Sequence, residues 1–333
     1  MQVTAVIPAY NEAASLAVTL ASLRAQTLPL TRILVMDDGS TDATAAVANE
    51  AGAEVLSLIP NRGKAASLNA GLATVETPFV LTVDADTQLA PDVLTLLHAA
   101  MDDPDVGVAC ASVLPHAQET LWERGRFLEY ILGQTIHKSG QHRLRSVLVA
   151  AGCCSLYRTD LLRQVGGFRN ATMTEDMDTA WLLYAQGART AYVAQARCLT
   201  MEPRTCQTYL RQLDRWYRGM FQCMALHRFR SVWPLKCLVY WYLADALLAP
   251  VGIGLFVWWG TQSLVQSIGT SVLFDVGMAC VVAMCAEPRC ALEVVRALPA
   301  YLIVRQVNLY AYLRAFWRER ICGDRLTYWA KGH

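Results

Sequence analysis

The sequence has little charge and almost no excess of either sign. Charged residues make up 17% of its 333 residues, whereas an ordinary soluble domain has roughly a quarter. The 29 basic and 28 acidic residues nearly cancel, so no overall field would gather nucleic acid along the surface. This composition also excludes collagen-like, disordered and coiled-coil proteins. We therefore expect a globular protein that binds no nucleic acid.

Several motifs of other enzyme classes are missing. The histidines form no HExxH pair, and the 11 cysteines form no two CxxC pairs at zinc-knuckle spacing. The sequence contains neither a GxSxG motif nor a GxxxxGKS motif, which argues against a hydrolase elbow and a P-loop ATPase. Residues 1–8 lack the basic flank and the long apolar run of a signal peptide. We expect reduced cysteines in a cytosolic or membrane setting.

The first third of the chain alternates short β-branched runs with longer amphipathic stretches, which predicts βα units that form a mostly parallel sheet. Strands are predicted at residues 3–8, 33–37, 54–58 and 79–84, and helices at residues 13–26, 43–51, 64–74 and 91–101. Ligand sites in such sheets lie at the carboxyl ends of the strands. Polar clusters occur at these ends, at residues 11–12, 37–40 and 84–86.

The composition changes near residue 230, where we expect a domain boundary. Asp245 is the only charge in residues 237–260, and Asp275 is the only one in residues 268–286, so each run predicts a membrane span. Residues 291–317 are apolar but carry several arginines, which predicts a helix in the plane of the membrane interface or a third membrane helix. The alternative is that all three runs are buried helices of a soluble domain.

The distribution of basic residues predicts an orientation. The loop at residues 260–270 has no Lys or Arg, whereas basic residues precede the first run and crowd the tail after residue 317. The positive-inside rule places these basic flanks in the cytosol. The amphipathic stretch at residues 121–134 predicts another helix in the membrane interface, with a core-packing helix as the alternative.

Two carboxylates follow the last predicted strand of the sheet. Asp84 and Asp86 are separated by one residue, so both side chains reach a common point. Two oxygen donors suit Mg²⁺ or Mn²⁺ bridging a diphosphate, and a solvated loop or a helix cap is the alternative. The other polar clusters also have structural explanations: a turn at residues 37–42, a loop and helix start or a phosphate site at 61–64, a first helical turn at 174–176, and a solvated helix face at 212–216.

In this order, the clusters resemble the membrane-bound family-2 glycosyltransferases, the group that contains hyaluronan, chitin, cellulose and poly-N-acetylglucosamine synthases. The matching segments are VIPAYNE at residues 6–12, DDGS at 37–40, NRGKAA at 61–66, DAD at 84–86, GCC at 152–154, TED at 174–176 and QLDRW at 212–216. They lie within about the first two-thirds of the chain. Their order and the apolar segments that follow agree with the bacterial poly-N-acetylglucosamine synthase type.

The resemblance implies a fold and an activity. The fold is α/β, with a GT-A catalytic domain (a Rossmann-like mixed, mostly parallel sheet) at residues 1–230, including interface helices near 121–135 and 203–227, and membrane helices after it. The activity is that of a metal-dependent inverting hexosyltransferase, which moves a sugar from a UDP-sugar to a growing β-linked polysaccharide. It would act at the inner or plasma membrane, with a cytosolic catalytic domain, and the acceptor would be a glycan or lipid-linked. Processivity from two spans could require homo-oligomers or a partner.

The resemblance also assigns the residues of the donor site. The backbone at Ala9 and the side chain of Glu12 would hold the nucleoside, and Asp37 or Asp38 would read the uracil. Three further side chains act at the diphosphate and the metal. Lys64 would meet the diphosphate, and Asp84 and Asp86 would hold the base, ribose and Mg²⁺ or Mn²⁺, with Asp86 the preferred metal ligand.

The remaining roles concern the acceptor and the leaving group. Asp176, beside Glu175, would be the general base. Gln212 and Arg215 would brace the pyrophosphate, and Trp216 would stack on the acceptor sugar. Gly152 and Cys153 lie where relatives contact the acceptor end, although Cys153 is also explained as a small buried residue.

Two residues depart from the family pattern. Leu213 stands where the family usually has Gln or Arg, and Asp214 puts a negative charge beside the expected phosphate clamp. Two alternatives therefore stay open: transfer of one sugar to a lipid carrier or other acceptor, and an inactive glycan-binding scaffold. Metal-dependent release of UDP distinguishes the scaffold from both enzymes.

Overall fold

The computed structural model describes residues 2–227, 232–240, 277, 281 and 291–327. The chain divides into two compact units, of which the first comprises residues 1–116 and 138–201 and the second residues 117–137 and 202–333. The boundary expected near residue 230 thus falls inside the second unit. This difference has a physical reason, because the helices near 121–135 and 203–227 pack against the C-terminal helix.

The first unit is built on one mixed sheet of eight strands. The strands are β1 (Val3–Ala9), β2 (Arg32–Asp37), β3 (Glu54–Ser57), β4 (Phe79–Val83), β5 (Gln88–Leu89), β6 (Val106–Pro115), β7 (Cys154–Arg158) and β8 (Arg189–Thr200). Their order is β3-β2-β1-β4-β7-β6-β8-β5. The strands β3, β2, β1 and β4 run parallel, as do β6 and β8, while β7 is antiparallel to both of its neighbours and β5 is antiparallel to β8.

The helices of the first unit are α1 (Leu16–Arg24), α2 (Thr44–Glu50), α3 (Lys64–Thr74), α4 (Val93–Ala99), α6 (Ser139–Arg143), α7 (Thr159–Gln164) and α8 (Glu175–Ala185). All four strands and all four helices predicted up to residue 101 are confirmed, and only their ends differ. β1 is almost continuously buried, because a parallel strand in the middle of a sheet is covered on both faces. The apolar runs of the sequence therefore mark this half of the sheet clearly.

The second unit is helical in its described part. Its helices are α5 (Leu121–Leu132), α9 (Cys206–Leu226) and α10 (Ala291–Phe316), and residues 233–240 are also helical. Thr120 with Glu123 and Thr205 with Thr208 form capping boxes that begin α5 and α9. Tyr209 and Leu213 of α9 form a buried cluster with Val304 and Ala311 of α10.

The membrane predictions concern the second unit. The spans expected near residues 237–260 and 268–286 lie almost wholly outside the described residues. The third apolar stretch, at residues 291–317, does form a helix, α10. Among the helices that the structure describes, none combines the length and the hydropathy required to cross a bilayer. The membrane location of α10 stays a prediction.

Candidate active site

The nucleoside side of the expected site lies at the carboxyl ends of β1 and β2. These strands are adjacent, and Ala9 lies opposite Asp37 in their register. The backbone N–H of Asp38 donates to the Ala9 carbonyl across 2.8 Å. The structure therefore brings together three residues to which the resemblance assigns contacts with the nucleoside.

The loops after these two strands hold each other. Asn11 adopts the left-handed backbone conformation, with φ of 53°, and its Oδ1 accepts from the N–H of Thr41 across 2.8 Å. The N–H of Glu12 donates to Oγ1 of Thr44, also across 2.8 Å. The Glu12 carboxylate accepts from the Ser15 hydroxyl. Hydrogen bonds of both its backbone and its side chain thus fix the position of Glu12.

Asp37 and Asp38 are buried carboxylates that organise the neighbouring loops. Asp37 Oδ1 accepts from the N–H of Ser40 across 3.0 Å. The two oxygens of Asp38 accept from the backbone N–H groups of Arg62 and Gly63, at 2.8 and 2.7 Å. A strand-end carboxylate therefore fixes the loop that begins α3, and Lys64 is the first residue of this helix.

Lys64 joins two of the motifs. Its Nζ lies 2.6 Å from Oδ1 of Asp84 and 3.3 Å from Oε1 of Glu175. Burial alone would lower the pKa of Lys64, but the attraction of Asp84 and Glu175 outweighs this effect and leaves the pKa well above its ordinary value. The side chain thus stays cationic between the DAD segment and the TED segment.

Asp86 lies in an environment that disfavours its ionised form, because it is buried and close to other carboxylates. Burial raises its pKa to about 7, with further contributions from the negative charges of Asp84 and Glu12. A divalent cation would relieve this repulsion, and Asp84 and Asp86 supply the oxygen donors that Mg²⁺ and Mn²⁺ prefer. Within the part of the chain that the structure describes, no three His, Cys, Asp or Glu side chains converge to hold a metal by themselves. Asp84 and Asp86 would therefore supply only part of the ligand set of such an ion.

Asp176 is placed by the backbone of the GCC segment. Its Oδ2 accepts from the N–H of Gly152 across 3.1 Å, and its Oδ1 accepts from the N–H of Met177 across 2.8 Å. A Cβ added at Gly152 would lie 2.8 Å from Oδ2, so only glycine permits this approach. The N–H of Asp84 donates to the carbonyl of Cys153 across 3.2 Å. The GCC segment therefore links the DAD segment to Asp176.

The last motif lies on α9, in the second unit. Gln212 Oε1 accepts from Arg126 across 2.8 Å, and the Arg126 guanidinium lies 5.0 Å from the centre of the Trp216 ring. Leu213 is fully buried in the cluster with Val304, which explains why an apolar residue replaces the polar one of the family pattern.

Asp214 is paired with basic residues rather than left beside the motif as a lone charge. Its Oδ2 lies 3.5 Å from Nη1 of Arg218 and 3.8 Å from Nη1 of Arg318. The negative charge that the sequence places next to Arg215 is therefore compensated within the second unit.

The first half of the chain matches a known protein family. Residues 4–166 match the profile of glycosyl transferase family 2. The chain carries a family-2 glycosyltransferase domain. This match and the similarity to bacterial N-acetylglucosaminyltransferases make the protein a glycosyltransferase.

Three bacterial proteins are similar in sequence to this glycosyltransferase. It is 29% identical to the "uncharacterized glycosyltransferase YaiP" of Escherichia coli K12, over 93% of this chain and 83% of that protein. It is 32% identical to the N-acetylglucosaminyltransferase of Azorhizobium caulinodans, over 68% of this chain and 61% of that protein. The corresponding enzyme of Mesorhizobium japonicum is also 32% identical, and the chain spans 56% of its length.

Solved structures share the fold of this glycosyltransferase. The mannosyltransferase PcManGT from Pyrobaculum calidifontis, solved with GDP-Man and Mn²⁺, has a TM-score of 0.68 at 20% identity and covers 96% of this chain and 88% of its own. TarS 1–349 of Staphylococcus aureus, solved with UDP-GlcNAc, has a TM-score of 0.52 at 16% identity, over 96% of this chain and 92% of its own. The expected α/β, GT-A-like fold with a mostly parallel sheet is thereby confirmed.

Two contacts of the first unit were not predicted from the sequence. Asp178, two residues after Asp176, is fully buried and forms two hydrogen bonds with Arg169, at 2.7 and 2.5 Å. Lys138 Nζ lies 3.9 Å from Cys110 Sγ and 5.5 Å from the centre of the Tyr192 ring. The sequence holds no signal for either contact, because the partners are separated along the chain and belong to no recognised motif.

Proposed function

We propose that the enzyme is a metal-dependent inverting hexosyltransferase that moves a sugar from a UDP-sugar to a growing β-linked glycan. The observation that carries this proposal is the Lys64 ammonium between Asp84 and Glu175, with the hydrogen-bonded carboxylate of Asp176 in the next position. The names of the N-acetylglucosaminyltransferase relatives favour UDP-N-acetylglucosamine as the donor.

The proposed donor site consists largely of charged side chains at the carboxyl ends of the strands. Asp84 and Asp86 would hold Mg²⁺ or Mn²⁺, and this ion would neutralise the diphosphate. Lys64 adds a fixed positive charge from the start of α3, where the helix dipole also favours anions. Ala9, Glu12, Asp37 and Asp38 would hold the nucleoside, and the hydrogen bonds between their loops keep this part of the site in place.

Asp176 would act as the general base. The acceptor hydroxyl is a poor nucleophile, so its proton passes to the Asp176 carboxylate as its oxygen bonds to C1 of the donor sugar. The bond between C1 and the diphosphate breaks at the same time, and UDP leaves with the bonding electron pair. Attack from the face opposite the leaving group inverts the configuration, so an α-linked donor gives a β-linked product.

Three residues of α9 keep the roles that the family resemblance implies. Gln212 and Arg215 would brace the departing diphosphate, and the flat apolar face of Trp216 would stack on the acceptor sugar. Gly152 and Cys153 would border the acceptor end. We also propose that the acceptor is a glycan or a lipid-linked sugar.

The membrane location is also part of the proposal. The apolar runs at residues 237–260 and 268–286 support two spans, with the catalytic domain in the cytosol. Four large apolar side chains of α10 are exposed, which supports a helix in the membrane interface: Leu292, Val295, Ile303 and Tyr310.

The experiment is the size distribution of the products. The detergent-purified protein is given UDP-N-acetylglucosamine, UDP-glucose and UDP-glucuronate, singly and in pairs, with Mg²⁺ or Mn²⁺. We expect a ladder of long products that disappears in Asp176→Asn, and Asp160→Asn, an exposed carboxylate on α7, serves as the matched control. A single added sugar would instead establish a one-step transferase. Absence of UDP release with every donor would contradict the proposed enzyme.

The variant Asp176→Asn distinguishes the role of a general base from a role in donor binding. The amide cannot take a proton, so transfer is lost, whereas the affinity for UDP, measured by calorimetry, stays close to that of the wild type. Unchanged transfer in this variant would remove Asp176 from the role of general base.

A further inference from the structure

One arginine of α5 contacts two residues of the QLDRW segment on α9. Gln212 and Trp216 are four positions apart, so they share one face of the helix. Arg126 Nη2 donates to Gln212 Oε1 across 2.8 Å. The same guanidinium lies 5.0 Å from the centre of the Trp216 ring, within the range of a cation–π contact.

Arg126 is held on its other sides. Its side chain is 1% exposed, and Nη1 donates to Oε2 of Glu129 across 2.9 Å. Its Nε lies 3.2 Å from Oε2 of Glu202, whose side chain is 2% exposed. Tyr130 donates to the other oxygen of Glu202 across 2.7 Å. The guanidinium is therefore held between two acidic side chains, Glu129 of α5 and Glu202, which precedes α9.

A buried charge network of this kind is costly to form. Removing two ions from water is only partly offset by their mutual attraction, and an apolar replacement of similar volume is often as stable. Stability alone therefore does not account for Arg126 and Glu202 at this place. Their arrangement is better explained by what Arg126 does to Gln212 and Trp216.

The guanidinium determines which end of the Gln212 amide faces it. Arginine only donates hydrogen bonds, so the amide oxygen of Gln212 must face Arg126 and the NH₂ group must point away. The planar fork also donates to Glu129 and Gln212 at the same time, through different nitrogens. A lysine ammonium, with its single nitrogen and longer flexible stem, has no such geometry.

We propose that Arg126 is a positioning residue for sugar transfer: it presents the NH₂ group of Gln212 as a donor to an oxygen of the departing diphosphate and holds the ring of Trp216 in place. The inference rests on the proposed function, from which Gln212 and Trp216 take their roles. Because the diphosphate gains charge as its bond to the sugar breaks, a prearranged donor acts on the transition state more than on the bound substrate.

The test compares two identical substitutions on one helix. Arg126→Lys keeps the charge but loses the fork, and Arg124→Lys is the matched control because Arg124 is exposed. With UDP-N-acetylglucosamine and Mn²⁺, we expect kcat to fall at least about tenfold in Arg126→Lys, with KM for the donor changed less than about threefold. Arg124→Lys should match the wild type. Equal kcat in the two variants would overturn the inference.

Two further variants separate positioning from a general loss of structure. In a Gln212→Ala background, Arg126→Lys should lower kcat by a clearly smaller factor than it does in the wild type, because the amide that it positions is gone and only its contact with Trp216 remains to be lost. A full additional loss would overturn the inference. Gln212→Glu still accepts from Arg126 but has no NH₂ group, so it should lose activity as Gln212→Ala does, while wild-type activity in this variant would also overturn the inference. If Arg126→Lys does not fold, Gln212→Glu decides.

The outcomes distinguish the inference from the proposed function. An active wild type with an unaffected Arg126→Lys variant overturns only the role of Arg126. A wild type that releases no UDP from any donor overturns the proposed function, and the inference fails with it.

Discussion

The backbone N–H of Gly152 donates to Oδ2 of Asp176 across 3.1 Å, so the expected general base lies against a residue that has no side chain. A Cβ at this position would lie only 2.8 Å from the same oxygen. The GCC segment thus has a role that its sequence does not show: it provides both the hydrogen bond and the space that fix the carboxylate.

Gly152→Ala should therefore displace the Asp176 carboxylate. We expect transfer to fall at least about tenfold, because a small displacement of a reacting group is costly, while the melting temperature changes little. The measurement is the rate of UDP release beside a thermal melt. Gly140→Ala is the matched control, since a Cβ there meets nothing within 4 Å. Equal loss in both variants would show that Gly152 has no special relationship to Asp176.

The raised pKa of Asp86 predicts a pH dependence. Because its pKa in the fold is about 7, above the ordinary value for aspartate, the ionised form destabilises the folded state, and this penalty develops between about pH 4 and pH 7. Protons and a divalent cation compete for the same oxygens. We expect the affinity for Mn²⁺ in the presence of UDP to rise as the pH increases through 7, as measured by calorimetry.

Asp86→Asn supplies the control for this behaviour. Without metal, the variant should melt at a higher temperature than the wild type at pH 8, and this difference should shrink toward pH 4, because only the wild type pays the penalty of an ionised Asp86. The stabilisation by Mn²⁺ with UDP should also be lost. Asp92→Asn, an exposed carboxylate of the same unit, should leave both properties unchanged. An unaltered Mn²⁺ response in Asp86→Asn would remove Asp86 from the metal site.

Lys64 should contribute to donor affinity through its charge. Lys64→Met removes the cation between Asp84 and Glu175 and leaves two carboxylates facing the diphosphate, so we expect the affinity for UDP to fall at least about tenfold. Lys64→Arg keeps the charge and should retain more of the affinity. Calorimetry with UDP and Mn²⁺ provides the comparison, and equal affinity in the methionine variant and the wild type would contradict the role of Lys64.

The variant Leu213→Gln tests whether the fold requires leucine at this position, where the family usually has a polar residue. Leu213→Gln restores a residue type common at that position, but it places an amide in the buried cluster with Val304. We expect the free energy of unfolding to fall by about 2–4 kcal/mol. Leu226→Gln, at the exposed end of α9, should change it by less than about 1 kcal/mol. A stable, more active Leu213→Gln would mean that the cluster does not require leucine.

The parallel half of the sheet could be predicted because its signals are local. Apolar runs, turn residues and helix starts recur in a fixed order from Val3 to Met101, and each predicted element is present. The strands β6, β7 and β8 were not predicted in the same way. β7 is antiparallel to both of its neighbours, and long-range pairing of this kind leaves no periodic signal.

The candidate site could be predicted only in part. Motif order indicated Lys64, Asp84, Asp86, Glu175 and Asp176, and the structure connects Lys64 to Asp84 and Glu175. Sequence reasoning could not predict Arg126 beside Gln212, because the contact depends on how α5 and α9 pack and spans 86 positions of the chain. For the same reason, composition indicated a boundary near residue 230 that the packing of the helices does not follow.

The packing of α10 has a practical consequence for preparing the enzyme. Composition suggests that the chain could be shortened at residue 230 to obtain a catalytic fragment without the apolar C-terminal part. Such a fragment would lack the helix that covers Tyr209 and Leu213, together with Asn308, which accepts from the Tyr209 hydroxyl across 2.6 Å. The exposed face of α9 would then favour aggregation during expression. A useful truncation has to retain α10, even where the residues before it are shortened or replaced by a linker.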